Sequence, residues 1–314
     1  MNMDNIEVTI LCITYNHAGY IKDALESFVN QKTSFKYQII VHDDASTDGT
    51  REIIKEYLNK YPELIVPILQ DENIYSRGIR SDQYINPLLK GKYIAVCEGD
   101  DYWCDDFKLQ KQYDIMQADE SLSTCVHNTR LIDNVSGNNK VMYSTECNGK
   151  LDTIKVIMGG GGGLFHTSSL FFRKEFYTIP DAFRIPYVGD YPRAVFLALN
   201  GGIYYISDIM SVYRYNTIGS FTSKITQERH KLIQKGTCDF LRNVDEYSNN
   251  KYHAEITDRI GFITFDMLLN ENDFVTIEEE LGWYLKRHKK MKLEYILKKR
   301  FPYIYMLKNK VFSK

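Results

Sequence analysis

Three groups of polar side chains follow apolar runs in the first third of the sequence. They are Thr14 to Asn16, Asp43 to Ser46 and Glu98 to Asp101. Continuous apolar runs are typical of buried parallel strands, and ligands of such sheets bind where the strands end. We therefore predict that the three groups lie together at one edge of a sheet and form a binding site there.

The densest group holds Glu98, Asp100 and Asp101 in one short turn. Three carboxylates so close together repel one another unless a cation or a hydrogen-bond donor compensates their charge. Oxygen ligands on a short loop suit Mg²⁺ or Mn²⁺, which commonly bridges protein carboxylates and substrate phosphates. The alternative is a solvated turn whose acids precede a helix.

The second acidic group pairs Asp43 with Asp44 and is followed by Ser46, Thr47 and Asp48. A serine or threonine at this place can cap the next helix by accepting a hydrogen bond from a backbone N–H. Capping explains the hydroxyl groups but not the two adjacent acids before them. We therefore consider two roles for this group, helix capping and ligand binding.

Motifs of several other enzyme classes are absent from the sequence. The residues after the first apolar run are NHAGY, which differ from the G-x-G-x-x-G of dinucleotide-binding folds. The sequence also lacks the P-loop pattern and the G-x-S-x-G nucleophile elbow. None of the six cysteines forms a C-x-x-C pair, so we expect no zinc site and no disulfide, as in a reduced, cytoplasmic protein.

The elements that must position these groups alternate between strand and helix. This alternation predicts a right-handed, parallel α/β sheet. Charged, helix-favouring sequence begins near residue 226, so we predict an α/β domain over residues 1–225 and a helical extension over 226–314. The predicted strands are 8–16, 37–46, 64–70, 92–103, 165–174 and 201–216, and the predicted helices are 20–31, 47–61, 82–90 and 190–200.

A series of short motifs occurs in one order along most of the predicted α/β domain. The motifs are TYNH at 14–17, DDASTDGT at 43–50, NIYSRG at 73–78, EGDDYW at 98–103, HTSS at 166–169, GDYP at 189–192 and MSVYR at 210–214. Each motif is weak alone, but the ordered set is specific, and through it the chain resembles the family 2 glycosyltransferases. The resemblance implies the GT-A fold of nucleotide-diphospho-sugar transferases, in which helices flank a mainly parallel central sheet.

The resemblance further implies a metal-dependent, inverting transfer of one sugar from a nucleotide-sugar to a hydroxyl of a growing glycan, as in cell-surface polysaccharide synthesis. The expected donor is a UDP-sugar, carrying a hexose or an N-acetylhexosamine. Asp190 matches the catalytic base of the family, and Asp100 matches its ligand for Mn²⁺ or Mg²⁺. The residues that match donor-binding positions are Thr14, Tyr15, Asn16, Asp43, Asp44, Arg77, Glu98, Asp101 and His166.

The sequence departs from the family after Tyr213 and Arg214. Relatives often place a metal-binding histidine there, whereas this chain has Tyr215 and Asn216. An asparagine oxygen is a weaker ligand for manganese than a histidine nitrogen. Two other functions stay open: a non-catalytic nucleotide-sugar-binding or assembly protein, and a sugar-nucleotide pyrophosphorylase, which normally has a glycine-rich, basic loop after its first strand.

Charge is distributed unevenly along the chain. Residues 286–314 hold 11 basic side chains and one acid, so this tail carries +10 and the remainder −12, whereas the whole chain sums to −2. Basic residues interleaved with aromatic ones suit an anionic membrane surface, where a lipid-linked acceptor would lie. The alternative is a tail that packs on the domain. We expect no membrane span, no signal peptide and no nucleic-acid partner, but a cytoplasmic protein at the inner face of the membrane.

Overall fold

The fold is described from a computed structural model that covers residues 5–143, 147–159, 164–217 and 226–306. The glycine run at 159–163, which the sequence predicts to be a mobile loop that either gates the site or is a passive linker, falls outside the described residues from position 160 onward. The last part of the basic tail, residues 307–314, falls outside them as well.

Strands and helices are interspersed as far as residue 215, and the described elements after it are helices. The strands are β1 Ile6–Thr14, β2 Lys36–Asp43, β3 Ile65–Leu69, β4 Tyr93–Val96, β5 Tyr102–Trp103, β6 Leu122–Asp133, β7 Asn139–Val141, β8 Gly149–Lys150, β9 Phe171–Arg173 and β10 Gly202–Tyr215. The helices are α1 Ile21–Val29, α2 Thr50–Lys60, α3 Asp82–Ile85, α4 Lys108–Ala118, α5 Thr153–Gly159, α6 Asp190–Leu199, α7 Gln227–Tyr247, α8 His253–Glu271, α9 Phe274–Glu280, α10 Gly282–Arg287 and α11 Lys289–Arg300.

The chain divides into two compact units. Unit 1 comprises Met1–Pro180 and Asp190–Lys224, and unit 2 comprises Asp181–Gly189 and Ile225–Lys314. The short segment before α6 therefore belongs with the C-terminal helices, although it lies well before residue 225 in the sequence.

Unit 1 is built on one sheet. Its strands run in the order β3-β2-β1-β4-β9-β6-β10-β5, with β7 beside β6 and β8 beside β10. Strands β3, β2, β1 and β4 pair in parallel, and so do β6 and β10. Strands β9 and β5 run antiparallel to their neighbours. This confirms the expected α/β class and its mainly parallel sheet.

Strand β1 lies between β2 and β4 and is apolar because both of its faces are covered. Val8 and Ile10 are fully buried, and so is Ile21 on helix α1, in the same core cluster. Burying side chains of this size stabilises the fold by about 1.5–3 kcal/mol each. Strands β1 and β2 end in register at Thr14 and Asp43, so the polar residues that follow them begin at the same edge of the sheet.

The segment predicted as a strand over 165–174 is a strand only from Phe171 to Arg173. Before it, a 3-10 turn spans Thr167–Ser169. The His166 side chain accepts from the Ser168 N–H at this turn, and the His166 carbonyl accepts from the Ser169 N–H at 2.9 Å. These local hydrogen bonds compete with strand pairing, which is why the strand is short.

Unit 2 is helical across α7 to α11. A buried cluster joins Phe265 and Leu269 of α8 to Ile277 of α9, Tyr284 of α10 and Tyr295 of α11. This confirms the expected helical character of the C-terminal region. In the described ranges, none of the helices has both the length and the apolar character that crossing a bilayer requires.

A lysine side chain is buried in the core of unit 1. Lys108, at the start of α4, is fully buried; its Nζ donates to Gln112 Oε1 at 2.8 Å and lies 3.9 Å from the centre of the Trp103 ring. The Trp103 indole N–H donates to Ser168 O at 3.0 Å. Burial disfavours the charged amine and lowers the pKa of Lys108 to about 7.

Candidate active site

The acidic turn after β4, residues 98–101, brings three carboxylates to the carboxyl end of the strand. One oxygen each of Glu98, Asp100 and Asp101 lies within 4.8 Å of the others. Asp101 is buried, Asp100 is half-buried and Glu98 is open to solvent. The cluster therefore reaches from the protein interior to the surface.

Close backbone packing fixes one side of the acidic turn. The Gly99 N–H donates to Ile13 O at 3.0 Å. A Cβ atom at Gly99 would lie 2.6 Å from Thr14 Oγ1, so any larger residue would force the turn away from the end of β1. Glycine is needed here because the turn and the strand approach so closely.

Arg214 on β10 holds the acidic turn from the other side. Its backbone N–H donates to Asp101 Oδ1 at 2.9 Å, and its guanidinium donates to Asp100 O at 2.9 Å. The guanidinium also pairs with Asp23 and lies 4.5 Å from the centre of the Tyr102 ring. The orientation of the acids therefore depends on β10 as well as on β1.

Two histidines border the acids. His17 Nε2 lies 3.8 Å from Asp100 Oδ2, and His166 Nδ1 lies 3.8 Å from Asp101 Oδ2. The His166 ring stacks on Tyr213, with 4.1 Å between the ring centres. Burial lowers the pKa of both imidazoles, that of His166 to about 4, so neither ring supplies positive charge to the acids at neutral pH.

The negative charge of the acidic turn is poorly compensated by the protein. Asp101 Oδ2 is buried and has no hydrogen-bond partner among the described residues. Burial, and then repulsion from Asp100 and Glu98, raises the pKa of Asp101 well above its usual range. Solvent still reaches Glu98, yet the protein packed around it and repulsion from Asp100 and Asp190 raise its pKa to about 7.

Asp190 is the first residue of α6 and its side chain is exposed. Its Oδ1 accepts from the Tyr191 N–H at 2.8 Å. Because its charge contributes to the raised pKa of Glu98, the two carboxylates lie near enough to repel each other. The fold thus brings an exposed acid from a later part of the chain to the acidic turn.

The first acid after β2 is engaged within the protein. Asp43 is fully buried and accepts from both the N–H of Ser46, at 3.2 Å, and its hydroxyl. Arg51 Nε lies 3.4 Å from Asp43 Oδ2 and completes an ion pair. Asp43 therefore builds the turn that follows β2.

The second acid after β2 holds a distant segment. Asp44 Oδ1 accepts from the Ile74 N–H at 2.8 Å, and Oδ2 accepts from the Tyr75 N–H at 3.2 Å. This fixes the 3-10 turn that ends at Arg77, whose guanidinium pairs with Glu72 and is more than half exposed. The described contacts do not bring Arg77 into the acidic turn.

The residues after β1 are tied to those after β2. Asn16 has a left-handed backbone, φ 54°; its N–H donates to Ser46 Oγ at 2.8 Å, and its Oδ1 accepts from the Thr47 N–H at 2.9 Å. Thr14 is buried, whereas Tyr15 is 45% exposed. Of the three residues matched to the nucleotide pocket in this segment, Tyr15 has the side chain most open to a ligand.

The acidic turn fits a divalent cation of the Mg²⁺ or Mn²⁺ type. Its donors are carboxylate oxygens, which these hard ions prefer. A buried polar atom without a partner costs about 1–3 kcal/mol, and a cation would satisfy Asp101 Oδ2. The two histidines are neutral, and the guanidinium of Arg214 donates to the Asp100 carbonyl and pairs with Asp23, so the charge of the three acids is left to such an ion.

Residues 9–177, more than half of the chain, match the profile of glycosyl transferase family 2. The chain belongs to this family. Over 227 residues this chain is 33% identical to an uncharacterized protein of Mycobacterium tuberculosis, in an alignment that covers 71% of this chain and 62% of the relative. The aligned part thus spans less than two thirds of that relative.

A shorter alignment relates this chain to a putative teichuronic acid biosynthesis glycosyltransferase, TuaG, of Bacillus subtilis. The two are 34% identical over 109 residues, or 35% of this chain and 41% of the relative. The alignment supports the family and concerns less than half of either protein.

Solved structures share the fold at low sequence identity. Residues 1–349 of TarS from S. aureus, in complex with UDP, match with a TM-score of 0.56 and 16% identity, over 84% of this chain and 72% of that one. The mannosyltransferase PcManGT from Pyrobaculum calidifontis, in complex with GDP-Man and Mn²⁺, matches with a TM-score of 0.52 and 12% identity, over 99% and 88% of the chains. With the family match, these likenesses confirm the expected GT-A architecture.

Three residues of the site were not singled out from the sequence. His17 and Arg214 lie inside matched motifs, so the motifs themselves carried the signal. Thr217 Oγ1 donates to Asp100 Oδ2 at 3.2 Å, whereas the preceding Asn216 donates to Asp133 Oδ1 at 3.0 Å. The first side chain after β10 to contact the acidic turn is therefore a threonine.

Proposed function

We propose that this glycosyltransferase moves a sugar from a UDP-sugar to a hydroxyl of a growing glycan, with inversion and with a divalent cation. The observation that carries the proposal is the cluster of three carboxylates, within 4.8 Å of one another, beside Asp190. Structures that share the fold hold UDP, UDP-GlcNAc, or GDP-Man with Mn²⁺, which supports a nucleotide-sugar donor. The sugar is a hexose or an N-acetylhexosamine.

In this proposal the acidic turn holds the cation. Asp100 is a direct ligand, with Glu98 and Asp101 beside it, and Arg214 keeps the turn in place through Asp101 Oδ1 and Asp100 O. When bound, the ion neutralises the charge that develops on the leaving diphosphate and orients it. The half-buried, neutral His166 limits the access of water to Asp101.

Asp190 acts as the base. Its carboxylate takes the proton of the acceptor hydroxyl as the hydroxyl oxygen bonds to the anomeric carbon. The bond from that carbon to the diphosphate breaks on the opposite face, and UDP leaves with the bonding electrons. The first turn of α6 favours negative charge at this position, which suits a base that must be ionised before the reaction.

The nucleotide lies against the residues after β1 and β2. Each carboxylate oxygen of Asp44 accepts one backbone N–H and retains a second lone pair, with which it can accept from the N–H edge of uracil. The exposed ring of Tyr15 offers a surface next to it. We assign the remaining matched residues, Thr14, Asn16, Asp43 and Arg77, to the shape of this pocket.

The test is an assay of UDP-sugars with and without Mn²⁺, on the full chain and two variants. We expect Asp190→Asn to abolish transfer while UDP binding, measured by calorimetry, persists, and Asp44→Ala to lose UDP binding. Asp114→Asn, a change to an exposed acid of α4, is the control and should keep both. Full activity of Asp190→Asn would refute the base.

The same assay separates the alternatives. Binding of UDP-sugars without transfer or hydrolysis, across acceptors, would favour a non-catalytic binding or assembly protein. Release of a nucleoside triphosphate from a nucleotide-sugar and diphosphate would identify a pyrophosphorylase.

We also propose that the basic tail docks on an anionic membrane, which would place the enzyme next to a lipid-linked acceptor. Leu293 follows Lys289 and Lys290 by one helical turn, so the three share a face of α11, and all are exposed. Exposed large apolar side chains continue beyond the helix at Phe301, Tyr303, Ile304 and Met306. Apolar side chains flanked by lysines bind anionic lipid surfaces.

Flotation with phosphatidylglycerol vesicles tests this docking, with phosphatidylcholine vesicles for comparison. Reversal of Lys289 and Lys290 to glutamate should abolish flotation with the anionic lipid. The same reversal at Lys22 and Lys55, exposed lysines of unit 1, is the matched control. Equal loss in both double variants would show that net charge, and not the α11 surface, decides binding.

A further inference from the structure

A cavity of about 440 Å³ lies within unit 2, among α7, α8 and the start of α10. Ligand sites in proteins span about 300–1,000 Å³, so this volume accommodates a small molecule or a short segment of a polymer. None of its lining residues takes part in the site described above. The residues used in the argument are Asp245, Glu246, Asn250, His253, Glu280 and Trp283.

An exposed aromatic ring forms one wall of the cavity. Trp283 is 42% exposed and packs on α8 at Gly261, where a Cβ atom would lie 3.1 Å from Trp283 Cη2. A glycine inside a helix costs about 0.5–1 kcal/mol relative to alanine. At this position it allows the indole to lie against the helix backbone, and the ring is held as a fixed apolar surface.

A buried polar atom lies at the same cavity. Asp245 Oδ1 is buried and has no hydrogen-bond partner in the described part of the chain. The other carboxylate oxygen, Oδ2, lies 2.6 Å from His253 Nδ1, so the side chain is oriented while one oxygen is left to a ligand. Because an unpaired buried acceptor is costly, a ligand that donates a hydrogen bond there is stabilising.

The charged side chains that line the cavity limit the chemical class of ligand that it can bind. The lining contains three acids, Asp245, Glu246 and Glu280, and one arginine, Arg242, whose guanidinium pairs with Asp239. The acids outnumber the arginine, so the lining repels phosphate and carboxylate groups. A purely apolar ligand would leave Asp245 Oδ1 without a partner. A molecule with an apolar face for the indole and a rim of O–H donors for the acids meets both conditions, and a pyranose ring has this form.

We propose that this cavity is a saccharide-binding site, which takes a neutral sugar unit with its C–H face on Trp283 and a hydroxyl donated to Asp245 Oδ1. Asn250, at the end of α7, supplies both a donor and an acceptor for neighbouring hydroxyls. That the bound saccharide is part of the growing glycan rests on the proposed transferase function. Saccharide binding itself does not.

Tryptophan fluorescence of the full chain tests the proposal directly, because the chain has only two tryptophans. Trp103 is buried, so acrylamide should quench mainly Trp283. We expect disaccharides of glucose, galactose, mannose and N-acetylglucosamine, tested singly, to include at least one that protects Trp283 from quenching. Absence of protection by every member of this panel would overturn the proposal.

Calorimetry with the protecting disaccharide then tests the residues. Trp283→Ala and Asp245→Asn should each weaken binding at least tenfold. Phe262→Ala is the matched control, since Phe262 is 40% exposed on α8 and does not line the cavity. Equal affinity of Trp283→Ala and the control would refute the site.

Two further measurements keep this result distinct from the transferase proposal. UDP binding by Trp283→Ala should match that of the unchanged chain, and saccharide binding by Asp100→Asn should also be unchanged. Loss of saccharide binding in Asp100→Asn would place the saccharide at the acidic turn and overturn the cavity site.

Discussion

The two acidic turns at the carboxyl edge of the sheet have similar sequences and opposite environments. After β2, all four carboxylate oxygens of Asp43 and Asp44 accept hydrogen bonds from the protein. After β4, Asp101 Oδ2 is buried with no partner in the described residues, and Glu98 and Asp100 crowd it. The first turn uses its acids to build the edge of the site, and the second leaves them to a ligand.

This difference shows why adjacent acids cannot be assigned a role from their spacing alone. The donors that satisfy Asp44 come from Ile74 and Tyr75, which lie in another segment of the chain. Within the described residues, the carboxylates of the acidic turn receive donors from Arg214 and Thr217, which reach two of their six oxygens. The environment, and not the residue type, separates structural acids from ligand-binding acids.

The largest expected effect is loss of transfer in Asp100→Asn, by a factor on the order of a hundred to a thousand, because a neutral amide is a weaker cation ligand. Initial rates with a UDP-sugar and Mn²⁺ measure it. Asp106→Asn, a change to an exposed acid that pairs with Lys32, is the control and should retain its rate. If Asp100→Asn keeps its rate, the acidic turn is not the catalytic one.

The next prediction compares aspartate-to-asparagine changes, which keep the shape of the side chain, in the turns after β2 and β4. Asp43→Asn should lower the free energy of unfolding by about 2–4 kcal/mol, because Arg51 and the Ser46 donors lose a buried carboxylate. Asp101→Asn should not destabilise the metal-free chain, since it removes a buried, crowded acid. Urea unfolding without metal measures both. Equal destabilisation by the two changes would show that the protein satisfies the acids of both turns to the same degree.

Lys108 tests whether burial alone, without crowding by like charges, makes a charge costly. Its pKa is about 7 in the folded chain against an ordinary 10.5, so the unfolded chain binds more protons between these values and stability rises with pH there. The slope is about 1.4 kcal/mol for each pH unit.

Lys108→Met should lack this slope. Unfolding free energies of the two chains, compared across the interval, should therefore converge as pH rises. The comparison of the two chains isolates Lys108, because the other titrating groups are common to both. If the unfolding free energies of the two chains differ by a constant amount across this pH interval, Lys108 stays charged in the folded protein.

The smallest expected effect concerns the backbone of the first turn. Ala45 has φ 62°, a left-handed conformation that costs an L-residue about 1–2 kcal/mol and that glycine adopts freely. Ala45→Gly should raise the free energy of unfolding by about 0.5–1 kcal/mol, after allowance for the greater freedom of glycine in the unfolded chain. Thermal melts measure it, and Ala254→Gly in helix α8 should have the opposite sign.

The sequence predicted the parallel half of the sheet well, because buried parallel strands need long apolar runs such as the one around Ile10. It also predicted where polar residues collect, since they follow those runs. It did not predict the 3-10 turn at Thr167–Ser169, whose hydrogen bonds are local and leave no periodic pattern. The partners of Asp44 and Asp101 depend on contacts between distant segments, which spacing along the chain does not encode.

The hydrogen bond from the Arg214 backbone N–H to Asp101 Oδ1 joins residues that are 113 positions apart in the sequence. This separation has a consequence for synthesis of the protein. A chain emerges from the ribosome N-terminus first, and contacts of long sequence separation form slowly. When β1 to β4 and the turn after them have left the ribosome, the nascent chain already contains Glu98, Asp100 and Asp101. At that stage the acidic turn is held only through its contact with the end of β1. The acidic turn becomes complete when β10 joins β6, so a chain that ends before β10 lacks the contacts that order the three acids.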